Sequence, residues 1–135
     1  MNWYLMVFKK YAVFSGRSRR KEYWYFLLFH FIIVIGLALT GPALQDRFGA
    51  TARDSLAMMI GIYLLVVLIP HIAVTVRRLH DIDRSGWWVL LNLIPFLGAI
   101  WLLVLMALNS TPGENKYGPN PKEATADPSH RAAGQ

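Results

Sequence analysis

The sequence predicts an all-α integral membrane protein, and three observations support that prediction. Hydrophobic residues make up 55% of the 135 positions and charged residues only 16%, with a mean hydropathy of +0.34, whereas soluble domains carry about 25% charged residues. The apolar residues form long blocks, and a block of about 20 is enough to cross a bilayer. Basic residues gather before the first block, which indicates an anionic membrane surface and not nucleic acid as the partner.

We expect one helical membrane domain over residues 1–121 and a disordered tail over 122–135, where Pro, Gly and small polar residues replace the apolar blocks. Residues 3–14 are apolar and aromatic, with Lys9 and Lys10 between them. This pattern predicts an amphipathic helix that lies in the membrane interface. The alternative is a short lead-in that packs on the helix bundle.

Three transmembrane helices are expected at about 23–44, 55–76 and 87–108. Thr40-Gly41-Pro42 carries the signals that end a helix, so the first span is expected to stop near there. A polar link follows at 46–54. Aromatic residues at the span entries are expected to anchor the helices at the lipid headgroups: Tyr23, Trp24, Trp87 and Trp88.

The orientation follows from basic residues near the span ends. With three spans, the N-terminal segment and the 77–88 loop share a side that holds nine bases against five, so the N-terminus is expected in the cytoplasm and the tail outside. If 87–108 instead turned back between Pro95 and Gly98, the tail would lie on the cytoplasmic side as well, and that side would hold twelve bases against two. Such a hairpin must be covered by protein at membrane depth, and we therefore favour three spans.

The loop at 77–88 is a concentration of charge between two apolar runs, and it is the expected functional region. Arginine presents a planar fork that matches phosphate or carboxylate, and glycine lets backbone amides approach a ligand. Residues expected to bind a lipid headgroup or another anion are Arg17, Arg19, Arg20, Arg77, Arg78, Arg84, Ser85 and Gly86. Residues expected to make contacts between segments are Glu22, His80, Asp81 and Asp83. If these acids neutralise the arginines, the cluster only clamps helix ends and fixes topology.

No catalytic residue, metal or cofactor is expected. The chain has no cysteine, which excludes thiolate chemistry and cysteine metal sites. A metal site needs three or four ligands, and the histidines outside the loop are scattered at His30, His71 and His130. Within the bilayer, His30, His71 and Asn92 should reach a similar depth, as an interhelical hydrogen-bonded clasp or as the floor of a cavity.

Several motifs occur in a fixed order between residues 8 and 121. They are Phe14-Ser15-Gly16-Arg17, Glu22-Tyr23-Trp24, Arg77-Arg78-Leu79-His80-Asp81, Arg84-Ser85-Gly86-Trp87-Trp88, Ile94-Pro95 with Gly98, and Asn115-Lys116-Tyr117-Gly118-Pro119-Asn120-Pro121. In these motifs the chain resembles the small bacterial inner-membrane proteins typified by YhaH and YhaI. The resemblance implies an inner-membrane location and several spans, and it supplies no substrate or catalytic residue.

The sequence therefore predicts a multi-pass inner-membrane protein that binds or assembles, without catalysis. Its expected partners are anionic membrane lipids, a partner membrane protein or further copies of the same chain. The first alternative is a small transporter or channel subunit, because Pro70 and Pro95 can break helices where polar residues cluster. The second is a lipid-modifying enzyme that uses His80 and Asp81.

Overall fold

The structure is a computed structural model that describes residues 3–123, and within that range it is all helical, without a strand. Its elements in order are α1 (Trp3–Lys9), α2 (Arg20–Phe48), α3 (Ala50–Asp81), the 3₁₀ helix η1 (Gly86–Leu93) and α4 (Leu97–Ala107). The prediction of an all-α fold is confirmed for this part of the chain. The predicted disordered tail lies, apart from its first two residues, outside the described residues.

The two long helices form an antiparallel pair. α2 has 29 residues and α3 has 32, so the helices are about 43 and 48 Å long at about 1.5 Å per residue. Both are long and apolar enough to cross a membrane. We call the end of the pair where α2 begins and α3 ends the cap end, and the opposite end the Gly49 end.

Two sequence expectations about this pair are wrong. α2 continues through Pro42 to Phe48, because a proline in an apolar helix costs one backbone hydrogen bond without enforcing a stop. The expected polar link at 46–54 is helical except for Gly49, which joins the helices directly. Gly49 has a φ of 83°, a left-handed conformation that side chains with a Cβ disfavour.

The third apolar run is not one continuous helix, so the third span is not confirmed. Pro95 interrupts it: Ile94 takes the extended backbone that a following proline enforces, and Phe96 has a φ of 60°. Gly98 N–H then donates to the Ile94 carbonyl at 3.1 Å and starts α4. The result is a helical hairpin with η1 and α4 as its two legs.

Both ends of this hairpin lie at the cap end. Gly86 packs on Val76 and His80 of α3, and the Met106 carbonyl accepts a hydrogen bond from Arg78 at 3.2 Å. Eight residues of 3₁₀ helix and eleven of α-helix both rise about 16 Å at about 2.0 and 1.5 Å per residue. The legs therefore match, and the hairpin is about half as deep as a hydrocarbon core of about 30 Å.

The N-terminal helix packs on the bundle, so the lead-in alternative describes α1 better than a free interfacial helix. Val7 is fully buried, and the Phe8 ring meets Phe26 of α2 edge-on at 5.9 Å. Beyond the end of α1, the Tyr11 hydroxyl donates to the Val66 carbonyl of α3 at 2.7 Å. Lys9 remains exposed.

The hydrophobic core is confined to the cap end, where all five helical elements meet. It contains Val7 of α1, Phe26 of α2, Val74 of α3 and Leu102 of α4. Toward the Gly49 end, α2 and α3 pack on each other, and their outer faces carry exposed leucine, isoleucine, phenylalanine and methionine. Such a surface is expected of helices surrounded by lipid.

Replacing Gly98 with alanine should destabilise the hairpin. A Cβ there would lie 1.7 Å from the Leu91 carbonyl oxygen, so the backbone of one leg must move. We expect a loss of at least about 1–3 kcal/mol, as for overpacked cores, measured as a lower thermal unfolding midpoint in detergent. Gly61→Ala is the matched control, since a Cβ there meets nothing within 4 Å. Equal midpoints for the two variants would contradict the close approach of the legs.

Candidate functional site

The most distinctive feature of the cap end is a group of five buried charged side chains, here called the polar cap: Arg17, Glu22, Arg77, Arg78 and Asp81. Asp81 is its centre. Its Oδ1 accepts from Arg17 Nε at 3.0 Å and its Oδ2 from Arg78 Nη1 at 2.6 Å. The Ser110 hydroxyl donates to the same Oδ2 at 2.5 Å. Arg77 Nη1 forms the other buried ion pair, with Glu22 at 2.8 Å.

Arg17 connects the N-terminal segment to the chain that follows the hairpin. Its Nη1 donates to the carbonyls of Gly113 and Gly118 at 2.8 and 3.2 Å, and its Nη2 donates to the Thr111 carbonyl at 2.7 Å. Together with the carboxylate and the backbone carbonyl of Asp81, these acceptors match the five N–H groups of the guanidinium group. The extended segment around Arg17 is itself held to α3, because Ser18 N–H donates to the Arg77 carbonyl at 3.1 Å.

The segment after the hairpin folds into a turn that presents carbonyls to Arg17. Asn115 and Gly118 exchange two backbone hydrogen bonds, at 3.1 and 2.9 Å. Asn115 Nδ2 donates to the His80 carbonyl at 2.9 Å, which ties the turn to the end of α3. The Thr111 N–H donates to the Asp81 carbonyl at 3.0 Å. Residues 109–121 therefore contribute to the site, although the sequence analysis named none of them as a candidate site residue.

Arg78 holds the second end of the hairpin. Besides Asp81, it donates to the carbonyls of Met106 and Leu108, which are free acceptors at the end of α4. Arg78 lies in the last turn of α3, beyond the apolar segment. Burial lowers the pKa of Arg78 to about 10, against the opposing effect of Asp81, so it stays a cation at neutral pH.

The polar cap is built as a clamp. Three arginines and two carboxylates leave one net positive charge inside, which protein carbonyls solvate. Two donor atoms of Arg77, Nε and Nη2, and the Ser18 hydroxyl are buried without a protein acceptor. Removing one partner from a buried ion pair typically costs about 3–5 kcal/mol, because the other charge is left uncompensated. The residues expected to bind an external anion thus include three, Arg17, Arg77 and Arg78, that are enclosed by the protein.

The other basic residues of the cap end are exposed or half-buried, and we call them the surface ring: Lys9, Lys10, Arg19, Arg20, Lys21, Arg84, Lys116 and Lys122. Arg19 donates to the Pro121 carbonyl and Arg20 Nη1 to Asn109 Oδ1 at 2.7 Å. The Arg84 guanidinium lies 5.4 Å from the centre of the Trp88 ring. The acids at this surface are Asp83, Glu114 and Glu123, and Asp83 lies 4.0 Å from Lys116.

His80 and Asp81 are adjacent in sequence but face different partners. The His80 ring stacks on Tyr117 with 3.8 Å between centroids, and its Nδ1 lies 3.3 Å from the Gly16 carbonyl oxygen. His80 is at the end of α3, outside the apolar segment. Burial lowers the pKa of His80, the Gly16 hydrogen bond opposes this and the Lys116 charge adds to it, so the neutral ring is favoured at neutral pH.

The expected intramembrane polar group is only partly assembled. His30 Nδ1 lies 3.3 Å from the Tyr63 hydroxyl, and the rings of His30 and His71 both lie about 6 Å from Phe26, at 6.3 and 6.1 Å between centroids. Asn92 is exposed on η1. The hairpin explains the separation, since η1 is one leg of the hairpin and packs on α3 and α4 and not on α2.

Three of the four expected interface anchors are exposed and one is not. Trp87 is 77% exposed, Trp24 and Trp88 less so, and Tyr23 is buried beside His71. Among residues 3–123, no group of three or more His, Asp or Glu is placed to hold a metal ion. The sequence analysis did not assign Ser110, Thr111, Asn115 and Asn120 to the site. The signal that could have found them is that these short polar residues are concentrated among the glycines and prolines of 109–121.

Comparisons with known proteins agree with a membrane location. Residues 11–119 match the family model described as "Protein of unknown function (DUF805)". The chain is 46% identical to inner membrane protein YhaH of Escherichia coli strain K12 and 44% identical to inner membrane protein YhaI, each over 122 residues, which is 90% of this chain and 98% and 97% of those proteins. It is also 31% identical to the uncharacterized protein YiiR over 131 residues, covering 78% of this chain and 83% of that one. No solved structure matches the chain.

Replacing Asp81 with asparagine should destabilise the protein, because the amide cannot compensate Arg17 and Arg78. We expect the free energy of unfolding in detergent to fall by about 3–5 kcal/mol. Asp83→Asn makes the same chemical change two residues away, where the carboxylate is 49% exposed, and its effect should be within about 0.5 kcal/mol. Similar losses in both variants would show that Asp81 is not the centre of the clamp.

Proposed function

The chain belongs to the DUF805 family, and from that premise we propose that it is an inner-membrane protein that binds anionic lipid at its cytoplasmic surface. In this proposal α2 and α3 cross the membrane, and the η1–α4 hairpin enters only the cytoplasmic leaflet. The polar cap and both terminal segments lie on the cytoplasmic side. The protein acts by holding lipid, or a membrane partner beside lipid, rather than by catalysing a reaction.

The distribution of charge supports this orientation. Among residues 3–123 the cap end carries eleven bases against five acids, whereas the Gly49 end has two of each, Arg47 and Arg53 with Asp46 and Asp54. An excess of Lys and Arg marks the cytoplasmic side of inner-membrane proteins. The hairpin answers part of the objection raised from the sequence, because both of its legs are helical and pair most of their own backbone groups. The non-helical backbone at the tip is limited to residues 94–96.

The single observation on which lipid binding rests is the surplus of charge in the surface ring. The polar cap uses its own acids and carbonyls for Arg17, Arg77 and Arg78. Eight further bases face only three acids at the surface. A base near an anionic leaflet contributes about 1 kcal/mol, so the ring as a whole can hold several headgroups without strict selectivity.

A topology reporter tests the orientation. Fusions after Asp83 and after Asn109 should both report the cytoplasm, because both positions lie at the cap end, and an insertion at Gly49 should report the periplasm. A periplasmic signal after Asn109 would restore the continuous third span and remove the hairpin from the proposal.

The lipid proposal is tested by two charge-matched double variants. Lys21→Gln with Lys122→Gln removes two bases from the surface ring, and Arg47→Gln with Arg53→Gln removes two from the Gly49 end. Native mass spectrometry of the detergent-purified protein should detect less retained phosphatidylglycerol in the first pair only, by roughly tenfold or more if each base contributes about 1 kcal/mol. An equal decrease in both pairs, or none in the first, would refute the surface ring as a lipid site.

A further inference from the structure

A groove at the cap end has features that the surface ring does not explain. It has a volume of about 530 Å³ and lies between the loop before α2, the last turns of α3 and the start of the hairpin. Its lining is mostly apolar, from Phe14, Val76, Trp87 and Val89, with His80 and Ser85 as polar members. The volume is within the range of about 300–1,000 Å³ typical of small-molecule sites.

The groove spans the boundary between apolar and polar surroundings. Val76 and His80 are four residues apart on α3, so one helical turn of about 5.4 Å separates an apolar side chain from a polar one. Beyond His80, the charged residues of the loop begin. A membrane phospholipid makes the same change over a similar distance, from its acyl chains to its headgroup, and it is the amphipathic molecule present at that depth.

His80 is held so that one ring nitrogen is available to a ligand. Since the Gly16 carbonyl can only accept, the Nδ1 that faces it at 3.3 Å carries the hydrogen. Nε2 of the neutral ring is then an acceptor. It points toward Gly86, where a Cβ would lie 3.5 Å from it, and the Tyr117 stack fixes the plane of the ring. Glycine at position 86 leaves out the Cβ that would crowd Nε2 and the Val76 side chain.

The charges around the groove favour an anion. Lys116 Nζ lies 5.1 Å from the centre of the Tyr117 ring, which also lines the groove. Arg84 precedes the lining residue Ser85, and its guanidinium lies over the ring of Trp88, beside the groove residue Trp87. Asp83 is the opposing charge, 4.0 Å from Lys116. Two bases against one acid attract a phosphate and disfavour a headgroup that ends in an ammonium group.

We propose that this groove binds an anionic phospholipid with a hydroxyl-bearing headgroup, of the phosphatidylglycerol type. An acyl chain lies on the apolar lining, the phosphate lies toward Lys116 and Arg84, and a headgroup hydroxyl donates to His80 Nε2. This site rests on the proposed function, and it adds a preference among anionic lipids that the surface ring alone would not give.

The preference is measured with the full-length protein in detergent, titrated with phosphatidylglycerol or with phosphatidylethanol, which has the same singly charged phosphodiester but no headgroup hydroxyl. The unmodified protein should bind phosphatidylglycerol roughly two- to tenfold more tightly, the effect of one hydrogen bond. His80→Phe keeps an aromatic ring against Tyr117 and removes Nε2. It should abolish the preference and leave the affinity for phosphatidylethanol unchanged.

The two proposals fail in different ways. Lys21→Gln with Lys122→Gln should lower the affinity for both lipids equally and keep the preference. If neither affinity changes, the proposal for the surface ring is refuted and the proposal for the groove is not. If the preference persists in His80→Phe, or is absent from the unmodified protein, the proposal for the groove is refuted and the proposal for the surface ring is not. A second measurement needs no variant: phosphatidylglycerol with a photoreactive acyl chain should label peptides that contain Phe14 or 86–89. Labelling confined to the exposed faces of α2 and α3 would also overturn the groove.

Discussion

One buried carboxylate holds the cap end together. Asp81 ends α3, and its side chain meets Arg17 from the N-terminal segment, Arg78 from its own helix and Ser110 from the chain after the hairpin. Lipid surrounds most of the molecule, so contacts between its helices gain little from the hydrophobic effect and depend on packing and polar contacts. Charged groups at the edge of a low-dielectric region interact strongly and are costly to leave unpaired. A single acid can therefore set the arrangement of three separate segments.

The long helices were predictable from sequence because apolar length is a local property. Their ends were not, because Pro42 in an apolar helix is tolerated and Gly49 alone is enough to reverse the chain. The third apolar run was predicted as one continuous span, and the reason that the structure differs is related. Its composition is that of a span, but Pro95 and Gly98 act through the close approach of two legs, which is a contact between residues and not a property of the run.

In the candidate site, too, local features were predictable from the sequence and contacts between distant residues were not. The charged residues that matter were visible in the sequence as a cluster, but their partners were not, since Arg17 reaches acceptors 64 to 101 residues away. Most of those acceptors are backbone carbonyls, which carry no residue identity for a sequence reading to detect. The structure thus separates bases used within the protein from bases at its surface, a distinction that charge counting cannot make.

The position of Arg17 has a consequence for biosynthesis. It is translated early and lies just before the first long helix, whereas Asp81 and the carbonyls of 111–118 are made much later. Until then its charge lacks its partners within the chain and is best hydrated outside the bilayer. Completion of the cap is then a late step of folding, because a chain truncated before residue 109 keeps its buried ion pairs but lacks the carbonyls of Thr111, Gly113 and Gly118 that Arg17 uses.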